Sequence, residues 1–214
     1  MDYLPLFSHL ANKPVLLVGG GQVAERKARL LLDAGACVTL VSPALCPELQ
    51  PLADNQTLRW IKEPFAPGHM DEMWLVIAAT NRREVNRQVF EEATRRRLFC
   101  NVVDDPELSS FVMPSIVDRS PLLVAISSAG QAPVLARLLR EQLEEEYPER
   151  FGQFIERLVR IRQELRDRGG GSMLHQVIWR KVMDKRIIDL VRAGQLDLAE
   201  EEIRHGIIDA GAES

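Results

Sequence analysis

A glycine-rich turn between an apolar run and a helical pattern constrains this chain more than any other feature. Val15–Val18 is the kind of short apolar run that forms a strand buried on both faces. Gly19, Gly21 and Ala24 then follow the spacing G-x-G-x-x-G/A, and a helical pattern covers 23–32. In this spacing the glycines permit a tight turn and a close approach of backbone to a pyrophosphate, and the small third residue lets helix pack on strand. The sequence therefore predicts a dinucleotide site, the alternative being a turn that binds nothing.

The composition favours a globular enzyme or sensor. Hydrophobic residues make up 46% of the 214 positions, enough for a proper core, and the net charge of −4 argues against non-specific nucleic-acid binding as the main task. No apolar run reaches the roughly 20 residues of a membrane span, and the N-terminus lacks the basic region and cleavage site of a signal peptide. We therefore expect a cytoplasmic protein with neither a nucleic-acid nor a membrane partner.

Alternating strand and helix patterns over residues 1–112 predict an α/β domain with a Rossmann-type, doubly wound parallel sheet. After the first unit, the predicted strands are 37–41, 58–61, 74–79 and 98–103, and a polar helix covers 82–97. Ligands of such sheets bind outside the carboxyl ends of the strands. The Gly19 loop, 79–81 and 101–105 are therefore the candidate ligand-binding loops.

The pattern changes after residue 112. Strand-like runs at 111–116 and 122–127, joined by a turn-rich connector at 117–121, predict a hairpin outside the parallel sheet. A long helix follows over 134–146, and a hairpin of this kind often serves as a docking surface between subunits. We assign 113–148 to a dimerisation segment and 149–214 to an all-helical C-terminal domain. Helices are predicted there at 149–168, 172–193 and 196–208, with Gly169–Gly171 as a flexible joint.

The end of the second predicted strand lacks the usual ribose-binding carboxylate. Ser42 stands at that position, followed by Pro43 and Ala44, and no arginine stands beside it to receive a 2′-phosphate. A serine hydroxyl and backbone amides can bind ribose, though more weakly than a carboxylate. The residues therefore predict a dinucleotide and leave NAD and NADP both open.

Asp104 closes the last parallel strand on the ligand side of the sheet and is a candidate general base. An aspartate that only forms a turn ahead of Pro106 explains this position equally well. Asp105, adjacent to the proline, fits that turn role better.

Two further groups of residues allow both a functional and a plain explanation. Ser127–Pro133 resembles an anion-binding loop before a helix, and ordinary N-capping by one serine explains it equally well. Arginines cluster where they could surround a cleft suited to a polycarboxylate, or simply form a solvated face. The histidines have no metal-ligand spacing, so no resident metal is expected. These arginines are Arg82, Arg83, Arg87, Arg95–Arg97, Arg119, Arg137 and Arg140.

A family resemblance rests on several motifs together. They are Leu4-Pro5-Leu6-Phe7, Val18-Gly19-Gly20-Gly21-Gln22-Val23-Ala24-Glu25-Arg26-Lys27, Ala78-Ala79-Thr80, Phe99-Cys100-Asn101-Val102-Val103-Asp104, Phe111-Val112-Met113-Pro114-Ser115 and Ser127-Ser128-Ala129-Gly130-Gln131-Ala132-Pro133. Over about residues 1–145 the chain closely resembles the precorrin-2 dehydrogenase/sirohydrochlorin ferrochelatase module of siroheme synthase. In many bacteria this module is fused to a uroporphyrinogen methyltransferase.

The resemblance implies two reactions at one site. NAD⁺ accepts a hydride from precorrin-2 to give sirohydrochlorin, and Fe²⁺, a substrate, is then inserted to give siroheme. The family's catalytic aspartate maps onto Asp104, which favours the base over the turn. Its backbone contacts to the nucleotide map onto Gln22, Val23, Pro43 and Ala44. Members of the family are homodimers, interlocked through the hairpin and the long helix.

The remaining assignments follow from the candidate ligand-binding loops and the arginine cluster. We assign Thr80, with Gly19, Gly21 and Ser42, to the cofactor. Ser128 corresponds to a serine beside the family's active-site cleft, and the other substrate contacts are assigned to Asn101, Arg119 and Arg137. Two alternative functions stay open: a dehydrogenase without chelatase activity, and a non-enzymatic NAD(H)-binding sensor.

Overall fold

The computed structural model describes residues 2–167 and 179–212. The chain divides into two compact units, Met1–Met113 and Pro114–Ser214. The second unit takes in both the hairpin region and the helices that follow, so the predicted boundary between 113–148 and 149–214 stays a prediction. The predicted joint at Gly169–Gly171 lies outside the described residues.

The first unit is built on the predicted parallel sheet, which is confirmed. Its strands pair in parallel in the order β3-β2-β1-β4-β5. Chain order reverses between β1 and β4, and open α/β sheets bind ligands at such a reversal, outside the carboxyl ends of the strands. The strands are β1 (Pro14–Val18), β2 (Cys37–Val41), β3 (Arg59–Ile61), β4 (Leu75–Ala78) and β5 (Phe99–Val102).

Helices cover both faces of this sheet, as the doubly wound prediction requires. Along β1, Val15 and Leu17 belong to the apolar cluster on one face, and Leu16 and Val18 to the cluster on the other. The first cluster includes the buried side of α1, and the second includes the buried side of α3. The helices are α1 (Gln22–Asp33), α2 (Gln50–Asp54) and α3 (Arg83–Arg96), with short 3₁₀ helices at Pro67–Met70 and Pro106–Leu108.

The outer edge of β5 is closed by two serine side chains. The Ser110 hydroxyl accepts a hydrogen bond from the Cys100 amide at 2.8 Å, and the Ser109 hydroxyl accepts one from the Val102 amide at 2.9 Å. Ser110 also donates its own amide to the Cys100 carbonyl at 2.8 Å. The backbone groups of an edge strand, which would otherwise lack partners, are therefore satisfied within the chain.

The second unit consists of a hairpin and helices. Strands β6 (Ser115–Arg119) and β7 (Leu122–Ile126) pair in antiparallel register, Val117 opposite Val124. None of the helices in the described ranges is long and apolar enough to cross a membrane. The helices of this unit are α4 (Pro133–Glu146), α5 (Arg150–Asp167), α6 (Lys185–Arg192) and α7 (Leu196–Ala212).

The predicted hairpin exists, but its first strand begins four residues later than expected, at Ser115. The prediction of a connector at 117–121 is wrong, because residues 117–119 belong to that strand. Val117 is fully buried while Asp118 is exposed, the alternation of a half-buried strand. The polar Asp118 and Arg119 suggest a turn in the sequence, but Asp118 is on the exposed face of the strand and Arg119 is half-buried against the end of α4. The chain turns only at Ser120-Pro121, where the Asp118 carboxylate accepts bonds from the Ser120 amide and hydroxyl.

The predicted continuous helix over 172–193 is also wrong in its described part. Residues 179–182 are helical, residues 183–184 are not, and α6 starts afresh at Lys185. Asp184 causes the restart, since its carboxylate accepts the Ile187 amide at 3.0 Å as an N-cap.

A close contact between α5 and the end of β6 requires Gly152. A Cβ atom at this residue would lie 2.5 Å from the Ser120 carbonyl oxygen and 2.7 Å from the Arg119 carbonyl oxygen.

We expect Gly152→Ala to lower the free energy of unfolding by about 1–3 kcal/mol, as overpacking typically does. Urea unfolding followed by circular dichroism measures this. Gly68→Ala, where a Cβ meets nothing within 4 Å, is the control and should stay within about 0.5 kcal/mol of the parent. An equal response of the two variants would contradict the packing argument.

Candidate functional site

The glycine loop lies at the carboxyl edge of the sheet, between the ends of β4 and β2. Gly19 has φ +126°, and a Cβ there would lie 2.3 Å from the Ala79 carbonyl oxygen. Its amide donates to the Val41 carbonyl at 3.0 Å. The tight turn predicted for Gly19 therefore requires glycine both for backbone angle and for space.

Gly20 is equally constrained, a role that the spacing of the motif does not predict. A Cβ at Gly20 would lie 2.0 Å from the Ala44 carbonyl oxygen and 2.7 Å from the Ser42 hydroxyl. The Gly20 carbonyl accepts the Cys46 amide at 2.7 Å, which fastens the glycine loop to the loop after β2. In the G-x-G spacing this position is free, and only the run of three glycines could have signalled the constraint.

Gly21 differs from both, because a Cβ there meets nothing within 4 Å. It is the N-cap of α1, and no side chain caps the helix. Gln22 and Val23 begin that helix, where backbone N–H groups lack intrahelical acceptors and the helix dipole is positive. Open space beside free N–H groups fits a pyrophosphate, as predicted for these residues.

The loop after β2 presents backbone at the same edge. Ser42 is buried, and its hydroxyl donates to the Ala44 carbonyl at 2.7 Å. The Trp60 indole donates to the Ser42 carbonyl at 3.0 Å, which fixes the loop from the side of β3. Pro43 and Ala44 are exposed. The hydroxyl of Ser42 is therefore engaged in shaping the loop, and its cofactor contact stays a prediction.

Thr80, after β4, is held by a buried asparagine. The Asn86 amide donates to the Thr80 carbonyl at 3.0 Å, and the Thr80 hydroxyl donates to the Asn86 oxygen at 2.7 Å. This pair fixes the turn whose Ala79 carbonyl faces Gly19. Asn86 was missed because a polar residue inside an exposed helix carries no sequence signal for burial. The contact of Thr80 with a cofactor stays a prediction.

Asp104 and Asp105 follow β5 and play different roles. Asp105 accepts the Leu108 amide at 3.4 Å as the cap of the Pro106–Leu108 helix, and lies 3.9 Å from Arg83. Asp105 thus caps a helix, while Asp104 lies in the turn that the bond from the Asp105 amide to the Val102 carbonyl closes at 3.2 Å. Asp104 is exposed and adopts φ +59°, a left-handed conformation in which aspartate and asparagine are the common non-glycine residues. Its carboxylate is thus available at the ligand edge.

Lys27 places a half-buried amine near this carboxylate. Burial and the adjacent Arg26 lower the pKa of the Lys27 amine, and the attraction of Asp104 raises it by less than the other two lower it. Among the residues that the structure describes, no carboxylate forms an ion pair with Lys27 within 4.0 Å.

Asn101 was assigned to the substrate, but its side chain has a structural partner. It is buried, and its amide nitrogen donates to the Phe111 carbonyl at 3.0 Å, which holds the loop after β5 in place. Its contact with substrate stays a prediction. Within the described residues, no group of three or more His, Cys, Asp or Glu side chains is placed to hold a metal ion.

Ser128 and Arg137 belong to the second unit. The Ser128 hydroxyl accepts the Ala132 amide at 2.9 Å in the loop before α4. The N-cap of α4 is Ala132, and no side chain caps the helix, so the predicted N-capping by a serine is wrong. Arg137 is exposed and pairs with Glu141 one helical turn later at 3.0 Å. The assignments of both residues to the substrate stay predictions.

Arg119 has its guanidinium engaged within the second unit. Its Nε donates to the Tyr147 carbonyl at 2.7 Å and its Nη2 to the Glu144 carbonyl at 3.3 Å, at the C-terminal end of α4. Its Nη1 donates to the Asp118 carbonyl at 2.8 Å. A cation on the last carbonyls of a helix stabilises that end. These contacts give Arg119 a structural role, and its assignment to substrate stays a prediction.

Several siroheme synthases are similar to this chain in sequence. Siroheme synthase 1 of Aeromonas salmonicida (strain A449) is 65% identical over 152 residues, covering 71% of this chain and 32% of that protein. Siroheme synthase 3 of Aeromonas hydrophila subsp. hydrophila is 55% identical over 183 residues, which cover 86% of this chain and 39% of that protein. Siroheme synthase of Photorhabdus laumondii subsp. laumondii is 47% identical over 203 residues, which cover 95% of this chain and 43% of that protein. The chain thus spans 32–43% of the length of these relatives.

A solved structure of SirC, precorrin-2 dehydrogenase, has the same fold, with a TM-score of 0.77, 22% identity, and coverage of 97% of this chain and 100% of that one. Residues 119–146 match the family described as sirohaem biosynthesis protein central. Residues 6–115, more than half of the chain, match the family described as putative NAD(P)-binding. The chain belongs to this NAD(P)-binding family, and its sequence joins that domain to the central domain of sirohaem biosynthesis proteins.

Proposed function

We propose that this chain oxidises precorrin-2 to sirohydrochlorin with NAD⁺, and then inserts Fe²⁺ to give siroheme. The observation that carries the proposal is an exposed aspartate, Asp104, at the same sheet edge as an open glycine loop. The similarity to siroheme synthases and the shared fold with a precorrin-2 dehydrogenase support this chemistry. Within it, the chelatase step rests on Asp104 and on the siroheme synthase relatives.

The cofactor side of the site is formed by backbone. Bound NAD⁺ supplies the hydride acceptor. Gly21, Gln22 and Val23 are the residues that would bind its pyrophosphate, through the free N–H groups at the start of α1. Pro43 and Ala44, exposed after β2, are the residues that would bind the adenosine ribose through backbone groups, in place of a ribose carboxylate.

Asp104 acts as the base in both reactions. Oxidation removes a hydride and a proton from the substrate, and the carboxylate takes the proton. Insertion of Fe²⁺ into sirohydrochlorin releases the two pyrrole N–H protons, and the same carboxylate accepts them in turn. Because Asp104 is exposed, it can pass each proton to solvent and be ready for the next.

We further propose a homodimer formed through α4. One face of this helix carries four apolar side chains that no other part of the chain covers. Val134 is 71% exposed and Leu138 is 51% exposed, and Leu135 and Leu139 lie beside them. A second copy packed antiparallel on this face would therefore cover the apolar side chains of both copies.

An anaerobic assay tests the proposed function directly. The protein is mixed with precorrin-2 and NAD⁺, the absorbance of sirohydrochlorin is followed, and Fe²⁺ is then added. Sirohydrochlorin should form only with NAD⁺, and should then be converted to siroheme faster than in a control without protein. Iron uptake at the control rate would leave a dehydrogenase alone. NAD binding without any oxidation would favour the sensor.

Replacement of the proposed base should abolish turnover without disturbing the turn. Asparagine tolerates the left-handed backbone at this position, so Asp104→Asn should lower the rate of oxidation by about 10²- to 10⁴-fold while NAD binding is unchanged. The measurement is kcat under anaerobic conditions together with the Kd for NADH. Asp105→Asn is the matched control and should retain turnover, because its side chain only caps a short helix. Undiminished turnover in Asp104→Asn would remove Asp104 as the base.

Gly21→Ala should separate cofactor binding from folding. The added methyl group enters open space in the protein but occupies the path of the pyrophosphate, so we expect the Kd for NADH to rise about tenfold or more, equivalent to about 1.4 kcal/mol. The midpoint of thermal unfolding without nucleotide should not change. Gly20→Ala is the contrasting variant, because its methyl group would collide with the Ala44 carbonyl and should lower that midpoint. Normal NADH affinity in Gly21→Ala would place the pyrophosphate elsewhere.

The α4 interface predicts that Leu138→Glu shifts the protein from dimer to monomer, because it places a charge in an apolar contact. Size-exclusion chromatography with light scattering measures the mass. Val159→Glu is the control, since Val159 is an exposed apolar residue on α5, 57% accessible and outside the α4 face. A parent protein that is monomeric, or a dimeric Leu138→Glu variant, would contradict the interface.

A further inference from the structure

Most of the arginines predicted to surround the cleft are engaged with other protein groups. Arg95 and Arg96 both bond to Glu92, and Arg96 also pairs with Asp71. In the second unit, Arg140 pairs with Glu144 as Arg137 does with Glu141. A guanidinium that already shares a carboxylate binds a second one less strongly. A polyanionic substrate therefore needs cations that are not yet paired.

The first unit offers two such cations on α1. Neither Arg26 nor Lys27 forms an ion pair with any residue in the described ranges, whereas Arg29, on the same helix, pairs with Glu25. Arg26 is exposed, so water solvates its charge fully. Lys27 is half-buried, which makes an unpaired charge there costly.

The position of Lys27 follows from the packing of α1. Ala24, Ala28 and Leu31 form the buried stripe of this helix, and Lys27 lies three residues after the first and four before the last, next to the stripe. The apolar cluster that contains the stripe also takes in Val103, the residue before Asp104. Lys27 therefore lies beside an apolar cluster that extends to the end of β5.

Lys27 and Asp104 are near enough to attract each other, yet they do not form a direct ion pair in the structure. An ammonium has three hydrogen-bond donors and no acceptor. With the carboxylate of Asp104 nearby but outside contact distance, the amine is free to take another anion. A carboxylate bound there would lie beside the proposed base.

We propose that Lys27 is a substrate-binding residue, whose ammonium binds a peripheral carboxylate of the tetrapyrrole and so places the reacting part of the macrocycle at Asp104. This inference rests on the proposed function. The bound carboxylate offsets the cost of the half-buried charge, and the contact fixes the orientation of a large ring that would otherwise be free to turn. Lysine suits this role because a flexible stem carries a compact charge.

Three variants test the assignment. Lys27→Met keeps most of the length and the apolar stem and removes the charge, and Lys27→Arg restores the charge. Lys13→Met makes the same change of charge at the opposite edge of the sheet, where Lys13 lies 4.2 Å from the centre of the Trp74 ring. Each variant is compared with the parent protein in four measurements: Kd for sirohydrochlorin, KM for precorrin-2, Kd for NADH and the thermal unfolding midpoint.

The expected result is a selective loss of tetrapyrrole affinity. In Lys27→Met the Kd for sirohydrochlorin and the KM for precorrin-2 should rise about tenfold to a hundredfold, the range for a lost charged hydrogen bond. The Kd for NADH and the unfolding midpoint should not change. Lys27→Arg should recover much of the affinity, and Lys13→Met should resemble the parent protein. The salt dependence of sirohydrochlorin binding should be weaker in Lys27→Met than in the parent.

Each other outcome overturns the proposal in a distinct way. If the parent protein binds sirohydrochlorin and Lys27→Met binds it equally well, Lys27 is no anchor, while the proposed function stands. If only the Kd for NADH rises, Lys27 binds the cofactor instead. If all four quantities change together in Lys27→Met and Lys27→Arg, its role is structural. If the parent protein binds no tetrapyrrole at all, both this assignment and the proposed function are wrong.

Discussion

The first unit depends on two places where backbone meets backbone without room for a side chain. Gly19 lies against the end of β4 and Gly20 against the loop after β2, and a Cβ at either would come within 2.3 Å of a carbonyl oxygen. These contacts join the carboxyl ends of β2, β1 and β4 into one continuous edge. Gly21 is then left with open space around it, so the same loop is rigid where it meets the protein and accessible where a ligand can approach.

The basic side chains also fall into two groups, those engaged with other groups of the protein and those without an ion pair. Most of the arginines that looked available in the sequence are neutralised by glutamates one turn away or bound to helix carbonyls. Such pairs between exposed side chains stabilise a fold only slightly, but they reduce the number of free cations. Among the described residues of the first unit, Arg82, Arg87 and Arg97 form no ion pair, and neither do Arg26 and Lys27 on α1. Of these cations, Lys27 is the one that is half-buried and attracted by the exposed carboxylate of Asp104.

Much of this fold could be predicted because its signals are local. The strands of the parallel sheet are apolar runs with clear ends, and the start of α1 is marked by the glycines, so boundaries were correct within one or two residues. The site was harder to predict wherever a residue's role comes from a distant neighbour. Arg119 contacts carbonyls 25 and 28 positions away, and no spacing rule reveals such a partner.

The errors in the second unit have a related cause. Asp118 and Arg119 are polar and suggest a turn, yet in an antiparallel hairpin one side of each strand faces water, and a polar side chain such as that of Asp118 is normal there. The helix restart at Asp184 is not predictable from the pattern, because an aspartate within a helical pattern is usually an exposed residue of that helix. Only its capping bond to the Ile187 amide reveals that a new helix begins there. Periodicity identifies which residues face the core, but it does not determine where a hydrogen-bond pattern starts again.

The serine contacts along β5 limit how this protein can associate with others. Exposed edge strands are recruited by extended peptides, which add a further strand through main-chain hydrogen bonds. Ser109 and Ser110 already occupy the amides of Val102 and Cys100 on that side. A peptide seeking to extend the sheet beyond β5 would have to displace the chain's own loop, so β-augmentation is closed at this edge and assembly must proceed through other surfaces.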